Sequence, residues 1–245
     1  MTTTTPAATR PTQLVLPGQA AAPNGPVDPF MMYLMHHAFR RDLADFARCA
    51  PRTPVADRVT WRRLRDRWAD FGEVLHHHHS AEDQIVWPTL TQRADADGRA
   101  VLDAMEAEHD LIDPLLSGCA LEFDRLGRHR DIAARERLAD LLVRTRDCLG
   151  AHLAHEETEA LVLIQRHFDA EDWELIERQI NGAADTGIRD LFRFIPWLLK
   201  GIEREDRAAI LAKVPGVFRF LAKLGEGRFA RAERRTFIYD PAAAI

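Results

Sequence analysis

Four stretches of this chain carry apolar residues at alternating spacings of three and four, and each places a histidine where its apolar row would otherwise continue. Such spacing marks a helix buried along one face. Four helices of this kind joined by short gaps fold as a bundle of antiparallel neighbours. The rows are Met32, His36, Phe39, Leu43, Phe46; then Trp61, Leu64, Trp68, Phe71, Leu75, His78, Glu82, Ile85; then Leu102, Met105, His109, Ile112, Leu116, Cys119, Phe123, Leu126; and last Leu138, Leu142, Thr145, Leu149, His152, Glu156, Glu159, Leu163. The predicted fold class is all-α: an up-down-up-down four-helix bundle with additional C-terminal helices packed on it.

The helices are expected over about 28–49, 57–93, 97–126 and 131–168, the first opened by Asp28 as N-cap with Pro29 behind it and closed by Pro51 and Pro54. Residues 1–27, rich in Thr, Pro, Ala and Gly, read as a disordered N-terminal tail. Residues 28–168 read as the bundle and 169–245 as a C-terminal helical extension carrying Trp173, Trp197, Phe218 and Phe220. That extension either covers the bundle or offers a docking face to a protein partner.

The polar residues on the buried rows need partners. His78 with Glu82, and His152 with Glu156, are spaced four apart and lie one above the other on a helix face. A buried polar group without a partner costs roughly 1–3 kcal/mol. Six of them, His36, His78, Glu82, His109, His152 and Glu156, would cancel most of a domain stability of about 5–15 kcal/mol. Neutral imidazole and carboxylate are natural ligands of metal ions, which satisfy the whole set at once. Those six are the predicted metal ligands. Asp113, four after His109, and Glu159, three after Glu156, are within reach. His37 is the alternative to His36, which is preferred because Phe39 and Leu43 share its face. His76, His77 and His79 read as flank or surface residues, and Asp83 and Glu157 as facing solvent. Zinc and manganese suit such ligands as well as iron does.

Composition narrows the function classes. With 33 Lys and Arg against 38 Asp and Glu, the net charge is −5, so the basic footprint of a nucleic-acid binder is missing. No stretch reaches the roughly 20 apolar residues of a membrane span. Three widely spaced cysteines read as reduced thiols, and no apolar segment follows Arg10 as a secretory signal would require; the expected location is cytoplasmic.

His36, HHSAED at 78–83 with Trp87-Pro88, EAEHDLID at 106–113 and HLAHEE at 152–157 together resemble the hemerythrin-like, HHE cation-binding family. The resemblance implies a non-haem centre of two irons with Glu82 and Glu156 bridging and His36, His78, His109 and His152 terminal. Oxygen-carrying members have a histidine where this chain has Asp113 and an aspartate where it has Glu157, so the site reads as poorer in histidine than theirs. The expected function is binding or sensing of oxygen, nitric oxide or peroxide, or handling of iron. The alternatives are a peroxide-consuming or ferroxidase enzyme at the same centre, and a helical interaction module with a structural metal.

Overall fold

In a computed structural model, which describes residues 10–183 and 188–244, the chain is helical throughout its elements, with no strand among the described residues. The bundle helices are α1 (Phe30–Cys49), α2 (Arg58–Ala81), α3 (Ala96–Arg128) and α4 (Ile132–His155). Two of them run on through a single π-helical turn. Glu82–Val86 carries α2 into Trp87–Thr91, and Glu156–Ala160 carries α4 into Leu161–His167. The extension holds α5 (Ala170–Ala183), α6 (Ile188–Leu198), α7 (Arg204–Lys213) and α8 (Gly216–Thr236).

Three bundle helices start at an aspartate that accepts from the backbone N–H three residues on. Asp57 takes Thr60, Asp95 takes Gly98 and Asp131 takes Ala134, at 3.1, 2.9 and 2.9 Å, so each satisfies an otherwise orphaned donor of the first turn. The start of α1 departs from expectation. Pro29, whose side chain has no acceptor, occupies the N-cap position, and the Asp28 carboxylate one residue earlier pairs with Lys213 at 2.5 Å.

Buried side chains form two apolar clusters with the polar row residues between them. One cluster holds Phe39, Leu75, Ile112 and Leu149. The other holds Tyr33, Val86, Met105 and Ala160. On α1 and α3 the second cluster precedes the histidine in sequence, and on α2 and α4 it follows. The helices therefore alternate in direction, as the short connections demand.

Of the expected disordered tail, residues 1–9 lie outside the described residues, whereas residues 10–27 do not behave as disordered. They lie along the bundle with Leu16 and Val27 buried, and Gln13 and Gln165 both donate to the Val27 carbonyl at 2.9 Å. The extension packs on α1 and α2. Trp197 is buried, its ring 5.7 Å from Phe39, and its Nε1–H donates to Asp42 at 2.9 Å.

Candidate metal centre

Each expected ligand sits on the inner face of its helix. His36, Glu82 and Glu156 are 0, 1 and 0% exposed, and His78, His109 and His152 are buried beside them. Two groups of donor atoms result, each with all its atoms within 4.8 Å of one another: His36, His78, Glu82 and Glu156 in one, His79, His109 and His152 in the other. Glu82 spans both, with Oε1 3.1 Å from His78 Nε2 and Oε2 3.6 Å from His109 Nε2. Glu156 Oε2 lies 3.1 Å from His36 Nε2. Two ligands about 2.1 Å from one ion and at a right angle to each other stand about 3 Å apart, so these gaps match shared coordination.

The unpartnered atoms test that fit. The Nε2 of His36, His78, His79, His109 and His152 and both oxygens of Glu82 and Glu156 are buried without a hydrogen bond. The opposite ring nitrogens of three of these histidines are engaged. His36 Nδ1 meets Glu157 at 2.9 Å, His109 Nδ1 meets Asp83 at 3.0 Å and His152 Nδ1 meets Glu108 at 2.9 Å. A carboxylate accepts only, so each Nδ1 carries a proton, and in the neutral form of the ring the Nε2 lone pair points inward. This is how metal-ligating imidazoles are held.

Protonation follows the same division. Burial, reinforced by neighbouring imidazoles, lowers His78 to about 3 and also depresses His79 and His152, keeping them neutral. Burial opposes charge on His36 too, but Glu156 and Glu157 outweigh it and lift the ring to about 9. Burial and then the Glu156 charge raise Glu82 well above the usual carboxylate range. Burial also works against an ionised Glu156, yet His36 and the other imidazoles hold it down at about 2. A cation beside both carboxylates would favour their ionised forms and the neutral form of the rings.

Three expectations need correction. His79 is not a flank residue. It is buried, with its ring stacked on His109 at 3.9 Å and 9°. The apolar row stops at His78, but a core-facing stripe is wider than one row; His79 follows Leu75 by four and precedes Glu82 by three, and that spacing was the signal available. Asp113 and Glu159 do not reach the centre, since both are exposed. Ile112 takes the inward position after His109, and the π turn inserts one residue after Glu156, so Ala160 rather than Glu159 faces in. The same shift replaces Ile85 by Val86 on the row of α2. Glu157 and Asp83, expected in solvent, hydrogen-bond the candidate ligands His36 and His109 instead: Glu157 is fully buried and the Asp83 side chain is 30% exposed. His37 is buried but lies outside both donor groups, near Gly201.

A helical bundle enclosing nine inward-facing donor atoms defines a metal-binding bundle. The model of the hemerythrin family, described as the hemerythrin HHE cation binding domain, matches residues 30–164, more than half of the chain. The chain belongs to that family. It is also similar to Zinc finger protein BRUTUS of Arabidopsis thaliana, 24% identical over 195 residues. That match covers 78% of this chain and 15% of the plant protein. No solved structure gives a significant match.

Proposed function

We propose that this protein binds two iron ions at a non-haem centre in the bundle of residues 28–168 and uses them to bind or sense oxygen, nitric oxide or peroxide, with the extension of residues 169–245 as a cover. His36 and His78 serve one ion, His79, His109 and His152 the other, and Glu82 and Glu156 lie between them. The observation that carries this reading is the set of nine buried, unpartnered donor atoms, five imidazole nitrogens and four carboxylate oxygens. The imidazole count also bears on the chemistry. With His79 in place of a ligand at position 113, five imidazoles are available, so the centre is not as poor in histidine as the rows alone suggest. Imidazole-rich sites favour reversible binding of small ligands, and iron when bound would supply the redox change that such binding needs. Apolar walls support small ligands over large ones: Phe39 stands 5.5 Å from the His78 ring and Phe71 stands 5.7 Å from Phe39.

The test is metal content per chain, with the absorption spectrum of the same sample. About two irons per chain with near-ultraviolet charge-transfer bands, both lost in Glu82→Ala, is the expected result. Substoichiometric metal that is the same in Glu82→Ala would sink the assignment. Reversible stoichiometric spectral change on adding oxygen or nitric oxide supports binding; catalytic loss of peroxide would move the reading to an enzyme.

A further inference from the structure

Glu157 differs from the other two carboxylates that orient candidate ligands. Asp83 and Glu108 keep 30% and 29% of their side chains exposed, whereas Glu157 keeps none. Its cover includes the N-terminal segment. The Ala20 N–H donates to Glu157 Oε2 at 2.6 Å. Arg40 donates to both oxygens at 2.7 and 3.0 Å, and His36 Nδ1 donates to Oε1 at 2.9 Å. A carboxylate offers about four acceptor positions, and these four bonds take up that capacity.

The segment is built to lie there. The Gln165 side-chain amide grips both backbone groups of Val27, accepting its N–H at 3.0 Å and donating to its carbonyl at 2.9 Å. A Cβ on Gly25 would fall 2.0 Å from Gln165 Oε1, so only glycine passes this point. Gly18 turns the chain beside Arg40 with φ +83, a conformation glycine adopts without strain. Gln19 braces the turn by donating to the Leu14 and Ala21 carbonyls and accepting the Leu16 N–H.

We propose that residues 10–27 form a strap that retains metal in the centre, with Glu157 as the positioning residue through which it acts on His36. The proposal rests on the reading of His36 as a ligand. The strap fixes one oxygen of Glu157 and keeps water from it; the other oxygen fixes the plane and tautomer of the His36 ring. When the strap is loosened, Glu157 gains freedom and hydration, and His36 loses the constraint that aims Nε2 at Glu156. Outer partners of this kind typically change metal affinity 10–100-fold when removed.

The test tracks iron leaving the loaded full-length protein into excess chelator, with helicity monitored in parallel. Ala20→Pro removes one N–H donor from a non-helical segment. It is expected to speed release roughly 10-fold or more, and Glu157→Gln roughly 10–100-fold. The double variant should release no faster than Glu157→Gln alone, because both act through one carboxylate. Gln165→Ala, which frees the far end of the strap, should also speed release and stands in for Ala20→Pro if that variant loses helicity. Release at the wild-type rate in Ala20→Pro and Gln165→Ala, with Glu157→Gln fast, would overturn the strap while leaving the centre intact. Multiplying effects in the double variant would overturn the route through Glu157. Wild-type protein that takes up no iron would instead remove the metal reading, and the strap's role with it.

Discussion

When a histidine serves a metal, a hydrogen bond to its second nitrogen fixes both the tautomer and the ring plane. In His109 the partner is Asp83, and in His36 it is Glu157. Each comes directly after a glutamate of the centre, Glu82 or Glu156. One residue thus faces the metal position while its neighbour steadies a histidine on another helix, α3 or α1. Asp83→Asn keeps the size of the side chain but weakens its acceptor character, and is expected to lower metal affinity roughly 10–100-fold with helicity unchanged; metal titration checks it. Under the proposed two-iron reading, His79→Ala should remove about one iron per chain, or both if the ions bind cooperatively. Asp113→Ala and Glu159→Ala should leave the content as in wild type, because both residues are exposed. The residues spaced three and four apart on the rows were legible from sequence. His79 was not, since row spacing picks out the centre of a buried stripe and neglects its shoulder. Asp83 and Glu157 were hidden for a different reason: a charged residue off the row reads as solvated unless a partner on another helix is known.

At the scale of the element, the two π turns decide which carboxylates reach the centre. Each opens at a centre glutamate, Glu82 or Glu156. An extra residue per turn rotates the remainder of the helix by roughly one position, which is why the expected rows slip from Ile85 to Val86 and from Glu159 to Ala160. Composition does not announce a π turn, so the four helices were legible while the slip was not, and the one cap expected, Asp28, gave way to Pro29. The helices also contain positions chosen for neither packing nor turn. A Cβ at Gly72 in α2 or Gly150 in α4 would meet nothing within 4 Å. Glycine inside a helix loses more backbone entropy on folding than alanine, by about 0.5–1 kcal/mol. Gly72→Ala and Gly150→Ala are each expected to stabilise the protein by about that amount in denaturant unfolding. Destabilisation by either would mean that the space beside it is filled.

At the scale of the molecule, the extension is joined to the bundle by apolar packing and by a buried charge network centred on Asp42. This carboxylate is fully buried and takes Arg67, Arg41 and the Trp197 Nε1–H. Arg67 and Lys200 continue the network to Glu233 on α8, and Lys200 also reaches Asp45 at 2.7 Å. Burial works against the charged form of Asp42, but Arg67, Arg41 and Lys200 together hold its carboxyl below the ordinary value of 3.8. The consequence for stability has a definite sign. A carboxyl depressed in the folded state contributes stability that is complete above its unfolded value, near pH 4, and is lost as pH falls through the folded one. Asp42→Asn leaves the Arg41 guanidinium without its counter-charge and Arg67 with Glu233 alone, a defect that typically costs about 3–5 kcal/mol. Unfolding monitored by Trp fluorescence should therefore show wild type more stable than Asp42→Asn by about that amount at neutral pH. The gap should hold down to about pH 4 and narrow below it, as Asp42 takes up a proton in wild type and has none to take up in the variant. A gap that already narrows between pH 7 and 5 would show that Asp42 is not ionised through that range, and that the extension is held by its apolar contacts around Trp197 rather than by charge.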